Sequence, residues 1–390
     1  MSHKKKVSNA IQVAVIVISA SFSPDIGGLE THLLDLVKVL HLKEYKVIVV
    51  SFQPYQTPAK LPIITWSDRS VLVIRLPRLF RQILFKRGQW NPVGQSFYQP
   101  LLLLALSALL LRNRHRVVAI HVNGISVLPF VSSICHLFGT KCILSIHYQY
   151  ERITVSDNFG YRFISRAPDE LLTLSRKASL KLKESGVSGD ARVFRYWIDL
   201  DKFKPIDMKE KRRILGVENK FLVLFVGRLI EEKGIRIVLE LSRRYEGDPR
   251  ISFLIIGDGP FDMAKAIREL HPSNLKYEGS IPNDEMPSWY NVADVLIVPS
   301  LGEEGFGRVI PEALSCGIPV IASNTGGIPE ILDSSVGLLT TPSVESFKQR
   351  IDELINSPDR LNLLRAECRK YAERTFDISN FETILESYLK

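Results

Sequence analysis

Short apolar runs alternate along the 390-residue chain with segments whose apolar residues recur at helical spacing. Each run is rich in Val, Ile and Leu and nearly continuous, which is typical of strands buried on both faces of a parallel sheet that carries helices on both sides. The predicted strands are Val13–Ser19, Lys46–Phe52, Ser70–Leu76, Val117–Val122, Lys141–His147 and Glu170–Leu174, and then Phe221–Val226, Ile251–Ile256, Leu275–Tyr277, Val295–Pro299, Val320–Ala322 and Gly337–Leu339.

A polar break at residues 196–210 separates two cycles of this alternation. We therefore predict an α/β protein of two tandem Rossmann-like domains, residues 1–198 and 199–375, with a C-terminal helix over about 376–390 that packs back on the first domain. The chain is long enough for two such domains. Because open parallel sheets bind ligands at the carboxyl ends of their strands, we expect the site in a cleft between the domains.

The amino terminus has a basic start and an apolar run, as a signal peptide does, but no small-residue cleavage pattern follows. We interpret Ile11–Ser19 as a buried first strand. The longest apolar stretch, Leu101–Leu111, is about half of the roughly 20 residues that a spanning helix needs, so no transmembrane segment is predicted. The four cysteines form neither a CxxC pair nor a cluster with histidine. This disfavours a zinc site or a disulfide framework and favours a reducing, cytoplasmic setting.

The net charge of +9 is unevenly distributed. Residues 1–200 carry 26 basic and 12 acidic side chains, whereas the rest of the chain carries 25 basic and 30 acidic ones. No acid lies between Asp68 and Glu151, and the segment Leu76–Trp90 interleaves Arg and Lys with bulky apolar residues. Such a segment can contact an anionic membrane surface, or it can form a helix packed on its own domain with a solvated basic face. Nucleic acid is disfavoured because no nucleic-acid-binding motif is present.

Two loops carry candidate phosphate-binding residues. Gly27 and Gly28 follow the first strand and precede a helix that we expect to begin near Glu30, so their amides could approach a phosphate, although two glycines are also common in a purely structural turn. In the second domain, Arg228 and Lys233 follow the strand Phe221–Val226 and suit a diphosphate, although each could equally be a solvated surface cation. Neither loop has the GxGxxG or Walker pattern, which disfavours a nicotinamide, flavin or P-loop site.

The segment 299–330 carries two glutamates near the predicted start of a helix over about Phe306–Ser315. Glu304 lies in the loop, where its carboxylate could accept hydrogen bonds from sugar hydroxyls, and Glu312 lies on the helix, where a ribose diol could reach it. The alternative is that both simply complement the helix dipole. Backbone amides near the helix start could also face a negative group.

These motifs resemble the signature of glycosyltransferase family four, whose members have the GT-B fold. The resemblance covers roughly Val13–Lys390 and is most specific over Phe221–Glu330. The matching elements are the E-x7-E pair Glu304 and Glu312, the segment Gly227–Gly234, the pair Gly27-Gly28, and Gly326-Gly327 followed by Glu330. Where the family often has an Asn-Gly turn at the domain junction, this chain has Tyr196-Trp197.

The resemblance implies a role for each matched residue. Arg228 and Lys233 would hold the donor diphosphate, Glu304 would lie by the donor sugar, and Glu312 would bind the ribose. His147 would face the donor sugar, and Asn123 and His121 would line the acceptor side. The remaining implied contacts are Gly279 and Ile281 near the nucleotide base, Gly27 and Gly28 at the phosphates, and Gly305, Phe306, Gly307, Arg308 and Val309 at the helix start.

The family also implies the reaction. We expect a retaining, nucleotide-sugar-dependent hexosyltransferase that needs no metal or other cofactor and acts in cell-envelope glycan synthesis. The expected acceptor is a lipid-linked or saccharide molecule at the cytoplasmic face of the membrane, to which the protein would bind peripherally. Asp199-Leu200-Asp201 imitates a metal-binding DxD motif, but we interpret it as linker polarity. The alternatives are a nucleotide-sugar epimerase or phosphorylase on the same fold, and a non-catalytic basic binding module.

Overall fold

The computed structural model describes residues 14–25, 27–54, 60–68, 70–77, 85–86, 89–90, 99–113, 116–124, 128–147, 168–184, 187, 190–260, 267, 272–302 and 304–389. Most of the predicted basic segment Leu76–Trp90, including Arg78, Arg81 and Arg87, lies outside these residues.

The strands of the first half are β1 Ala14–Ser19, β2 Lys46–Phe52, β3 Ile64–Asp68, β4 Val71–Leu76, β5 Phe85–Lys86, β6 Gln89–Trp90, β7 Val117–Asn123, β8 Lys141–Ile146, β9 Glu170–Thr173 and β10 Arg192–Val193. Those of the second half are β11 Phe221–Val226, β12 Ile251–Ile256, β13 Leu275–Tyr277, β14 Val295–Val298, β15 Val320–Ser323 and β16 Gly337–Thr340.

The strands form two large sheets. The N-terminal sheet has eight strands in the order β10-β9-β8-β7-β1-β2-β4-β3, and its paired strands are parallel except for β3 with β4. The C-terminal sheet has six parallel strands in the order β13-β12-β11-β14-β15-β16. The order reverses between β1 and β7 in one sheet and between β11 and β14 in the other. Loops after these strands therefore open into a crevice in each domain.

The described helices cover these sheets. They are α1 Gly28–Leu42, α2 Gln99–Asn113, α3 Leu128–Phe138, α4 Arg176–Glu184, α5 Lys209–Ile214, α6 Ile235–Arg244, α7 Met286–Tyr290, α8 Val309–Ser315, α9 Val344–Asn356, α10 Pro358–Thr375 and α11 Glu382–Leu389. Three short 3-10 helices lie at Glu231–Lys233, Ile328–Glu330 and Ile378–Phe381.

Each sheet is buried on both faces, as the continuous apolar runs predict. In β1, Ala14, Ile16 and Ile18 belong to the apolar cluster on one side of the sheet, and Val15 and Val17 belong to the cluster on the other. This split follows from the two-residue period of a strand. The second of these clusters continues into the C-terminal domain, so the two domains share a continuous core.

The predicted fold class is confirmed, and each predicted strand is present within one residue of its expected ends. Four strands were missed: β3, an antiparallel edge strand, and β5, β6 and β10, which have only two residues each. The segments Phe85–Lys86 and Gln89–Trp90 pair as a small hairpin, so this part of the basic segment is not helical.

The C-terminal helix α11 packs on the N-terminal domain. The hydroxyl of Tyr388 lies 2.7 Å from Nδ1 of His121 on β7, and Ser387 donates to Glu170 on β9 at 2.7 Å. The ring of Phe381, just before α11, contacts Trp197 edge to face, with 5.6 Å between centroids. The end of the chain therefore ties the C-terminal domain back to the N-terminal sheet.

Candidate active site

The crevices of the two sheets carry most of the predicted site residues. In the C-terminal domain, Arg228 and Lys233 follow β11, and Glu304 follows β14, the two strands at which the order reverses. In the N-terminal domain, Gly28 begins α1 after β1, and His147 follows β8. This arrangement follows from the meeting of strand ends at one edge of a parallel sheet.

Lys233 and Glu304 form an ion pair. The Lys233 ammonium contacts Oε2 of Glu304, and the two side chains are 26% and 15% exposed. The hydroxyl of Ser300 donates to the same carboxylate oxygen at 3.3 Å. Arg228 is exposed in the same loop as Lys233. A cation and a carboxylate are thus held together at the carboxyl edge of the sheet, where a diphosphate and a sugar could meet them.

Close backbone packing fixes the loop of Lys233. Gly234 has a φ of +73°, and a Cβ on it would lie 1.9 Å from the carbonyl oxygen of Pro299, so only glycine fits there. Beside it, the amide of Leu301 donates to the carbonyl of Glu232 at 2.9 Å. The loops after β11 and β14 therefore form one unit, which sets the Lys233–Glu304 geometry.

Glu312 is turned into the protein. Its Oε1 accepts a hydrogen bond from Nε of Arg308 at 3.0 Å, and its Oε2 accepts one from the Tyr290 hydroxyl at 2.8 Å. Burial raises the pKa of the Glu312 carboxyl, while Arg308 and Tyr290 oppose that rise. The side chain of Glu312, the predicted ribose-binding residue, is only 6% exposed. Each of its two carboxylate oxygens already accepts a hydrogen bond within the protein.

Arg308 also reaches the other domain. Its Nη2 donates to Oδ2 of Asp35 on α1, and its Cβ lies 3.8 Å from the position that a Cβ on Gly28 would take. Burial by itself would lower the pKa of Arg308, but Asp35 and Glu312 outweigh burial and raise it. Arg308 thus remains charged while it bridges the two domains.

His147 and Asn123 lie together at the end of the N-terminal sheet. Nε2 of His147 is 2.8 Å from Oδ1 of Asn123, and Nδ1 of His147 is 2.6 Å from the hydroxyl of Tyr196. Burial lowers the pKa of His147 to about 3, with a smaller contribution from His121. The ring is therefore neutral near pH 7, and both of its nitrogens are engaged within the protein.

His32, which the sequence analysis did not single out, lies between this network and Arg308. Its ring stacks on Tyr196 at 4.1 Å between centroids and lies 5.5 Å from the ring of His147. It is fully buried, and its ring nitrogens have no hydrogen-bond partner among the described residues. Burial, then His147 and Arg308, lower its pKa well below the usual value.

The start of α8 corrects a prediction. The helix begins at Val309 rather than near Phe306, because Gly307 has a φ of +70°, which a right-handed helix cannot contain. Gly305 and Phe306 therefore form a loop, and Phe306 is buried with its ring 4.8 Å from that of Tyr196. The sequence predicts that residues 305–309 lie together at the start of the helix. In the structure the backbone amides of these residues do not form one helix terminus.

The remaining predicted residues lie along the same edges. Gly27 precedes α1 with extended backbone, and α1 begins at Gly28 rather than near Glu30. The Gly279 carbonyl accepts a hydrogen bond from the amide of Gly257 at 2.7 Å, and Ile281 packs against the shared core. In the described part of the chain, no group of three or more His, Cys, Asp or Glu side chains is arranged to hold a metal ion.

Two family models match consecutive parts of the chain. The model described as Glycosyltransferase Family 4 matches residues 26–202, and the one described as Glycosyl transferases group 1 matches residues 207–375. The chain belongs to the glycosyltransferases. The matched ranges divide this glycosyltransferase at the same polar segment that separates the two sheets.

Curated relatives support this membership. The glycosyltransferase is 29% identical over 266 residues to spore coat protein SA of Bacillus subtilis, covering 65% of this chain and 67% of that protein. It is 27% identical to sulfoquinovosyl transferase SQD2 of Arabidopsis thaliana, covering 65% and 53% of the two chains. It is 30% identical to the GDP-mannose-dependent alpha-(1-6)-phosphatidylinositol monomannoside mannosyltransferase of Mycolicibacterium smegmatis, covering 45% and 50%. The chain thus spans about half the length of two of these relatives.

Solved structures share the fold. Sucrose-phosphate synthase from Thermosynechococcus elongatus superposes with a TM-score of 0.80 at 20% identity, covering 97% of this chain and 98% of that one. Anabaena HepE in complex with UDP-glucose superposes with a TM-score of 0.75 at 21% identity, covering 96% and 99%. The glycosyltransferase therefore has the GT-B architecture of these neighbours.

Several residues at the site were not predicted. Asp35, Tyr290 and His32 carry no motif of their own, although Asp35 and His32 share one face of α1 at a spacing of three residues.

Among the residues described, no helix has both the length and the apolar character needed to cross a membrane.

Proposed function

We propose that this glycosyltransferase is a retaining enzyme that transfers a sugar from a nucleotide-sugar donor to a lipid-linked or saccharide acceptor in cell-envelope glycan synthesis. The observation that carries the proposal is the Lys233–Glu304 pair at the crevice of the C-terminal sheet. The relative whose name includes phosphatidylinositol monomannoside supports a lipid acceptor.

The proposed chemistry rests on charge. A nucleoside diphosphate leaves with negative charge, and Lys233 and Arg228 would neutralise it electrostatically, as preorganised cations do in other transferases. Glu304 would orient the sugar hydroxyls and stabilise the positive charge that develops at the anomeric carbon. Retention requires the acceptor to attack the face from which the diphosphate leaves. The crevice between the domains would exclude water and so limit donor hydrolysis.

We also propose that the N-terminal domain contacts an anionic membrane surface. Leu104 and Leu111 on α2 are 69% and 71% exposed, seven residues apart and so on one helix face. Leu137 on the neighbouring α3 is 79% exposed, and Arg112 and Arg116 are exposed beside them. An apolar face flanked by cations is typical of an interfacial membrane contact.

A nucleotide panel tests the donor class. The midpoint of thermal unfolding of the full chain is measured with UDP, GDP, ADP and the corresponding monophosphates at equal concentration, since a ligand that binds the native state raises it. The preferred base is then tested as a nucleotide sugar with and without a lipid acceptor extract. Nucleoside diphosphate released only with acceptor supports transfer. Isomerised donor without release would instead indicate an epimerase.

Vesicle binding tests the membrane contact. Co-sedimentation with phosphatidylcholine vesicles containing phosphatidylglycerol is compared for the wild type and for Leu104→Ser with Leu111→Ser. The matched control is Leu363→Ser on α10 of the C-terminal domain, which is also 71% exposed. We expect the α2 variant alone to lose binding. Equal sedimentation of all three proteins would contradict the membrane proposal.

A further inference from the structure

The ion pair between Asp35 and Arg308 joins the two domains beside the proposed donor site. Asp35 lies on α1 of the N-terminal domain, and Arg308 directly precedes α8 of the C-terminal domain. Their side chains are 12% and 6% exposed. Because water screens such a pair less than a surface pair, its attraction contributes more to holding the domains together.

The same guanidinium covers the carboxylate of Glu312. One Arg308 side chain donates to Glu312 through Nε and to Asp35 through Nη2. A ribose hydroxyl that takes the place of Nε at Oε1 of Glu312 must move the Arg308 side chain away from that oxygen. That movement also breaks the bond to Asp35, because a single planar group makes both contacts.

The surroundings of Arg308 favour its movement toward a polar ligand. Its third nitrogen, Nη1, is buried without a hydrogen-bond partner among the described residues. An unpaired buried donor is unfavourable, and a ribose or phosphate oxygen would satisfy it. Gly28, at the amino end of α1, lies close to the same residue: a Cβ on Gly28 would stand 3.8 Å from the Cβ of Arg308.

We propose that the Asp35–Arg308 pair is an autoinhibitory contact: it holds the two domains together beside Glu312, and a nucleoside diphosphate displaces it. The inference rests on the proposed function, because it takes Glu312 as the ribose-binding residue. Removing the pair increases the fraction of molecules with an accessible donor site. The apparent dissociation constant then falls by the same factor.

The test compares the full-length wild type with Asp35→Asn, which keeps the side-chain size and removes the charge. Dissociation constants for UDP, GDP and ADP are measured by isothermal titration calorimetry. We expect Asp35→Asn to bind the preferred nucleotide about threefold to tenfold more tightly. Without nucleotide, its radius of gyration in small-angle X-ray scattering is expected to be larger. Arg308→Lys keeps the charge but replaces the planar guanidinium, whose Nε and Nη2 reach the two carboxylates separately, with a single ammonium, so it should change both measurements in the same direction.

Asp294→Asn is the matched control. The Asp294 side chain is 13% exposed and pairs with Arg212 and Arg365 inside the C-terminal domain. Its loss should lower stability without tightening nucleotide binding. Unchanged or weaker binding by Asp35→Asn overturns the inference. If the wild type binds none of the three nucleotides, the proposed function fails. If the radius of gyration of Asp35→Asn equals that of the wild type, the Asp35–Arg308 pair does not hold the domains together, and the inference fails even if the proposed function stands.

Discussion

Gly326 lies directly against the backbone of Glu304. A Cβ on Gly326 would stand 2.3 Å from the Glu304 carbonyl oxygen, and Gly326 has a φ of +58°. The amide of Gly327 donates to that same carbonyl at 2.8 Å. The position of the Glu304 backbone therefore depends on the loop that follows β15.

Gly326→Ala is expected to abolish most transfer activity, because the added methyl group must displace Glu304. Gly247→Ala is the control: its φ is +87°, but nothing lies within 4 Å of the added Cβ. That control should lose only the roughly 1–2 kcal/mol of left-handed backbone strain. Initial rates and urea unfolding of both variants are measured. Equal activity in the two variants would show that the contact with Glu304 is unimportant.

Lys233→Ala and Glu304→Ala should each lower turnover by about 10²–10³-fold, since each removes a preorganised charge from the proposed site. The chain should remain folded, because both side chains are partly exposed and belong to none of the apolar clusters. Lys348→Ala removes a lysine that is likewise paired with a carboxylate, Asp352, but on α9. It should retain full activity. Near-normal turnover by either site variant would overturn the assignment.

Glu330→Ala should destabilise the protein by about 1–2 kcal/mol. The Glu330 carboxylate accepts hydrogen bonds from the amides of Arg176 and Lys177 at 2.8 and 3.0 Å, and so caps α4 from the other domain. Glu345→Ala, a change at an exposed first-turn glutamate of α9, serves as the control. Urea unfolding measures both. A midpoint for Glu330→Ala no lower than that of the control would contradict the capping role.

Three buried histidines should make stability depend on pH. Burial lowers the pKa of His121 and of His147 to about 3 and lowers that of His32 well below its usual value. Because an unfolded histidine has a pKa of about 6.5, the unfolded chain binds extra protons below that pH. The contribution of each histidine to the free energy of unfolding is therefore complete above about pH 7 and falls as the pH drops below 6.5, by about 1.4 kcal/mol per pH unit, down to about pH 3 for His121 and His147.

Urea unfolding at pH 7.5, 6 and 5 measures this dependence. His121→Gln removes one titrating group and keeps a polar side chain for Tyr388 and Ser145, which lie 2.7 and 2.6 Å from the His121 ring nitrogens. We expect the free energy of unfolding of His121→Gln to change less steeply with pH than that of the wild type, by the amount that one bound proton contributes. The same slope in the variant and the wild type would mean that His121 is not the neutral buried group described.

The fold could be predicted because its signals are local. A buried parallel strand such as β11 is a short apolar run in the sequence itself, and its helices follow at fixed spacing. Lys233 and Glu304 could be expected at one edge because the carboxyl ends of parallel strands meet there. The edge strand β3 was missed because Ile64 and Trp66 are exposed and form no buried run.

The sequence by itself determined the buried parallel strands and which loops share an edge, since these depend on neighbouring residues and on the geometry of parallel sheets. Only the tertiary structure decided that Arg308 pairs with Asp35 and that Tyr290 donates to Glu312. Each of these side chains has many possible partners in an unfolded chain. The choice among them depends on how α1, α7 and α8 pack, because burial makes an unpaired charge far more costly than a surface one.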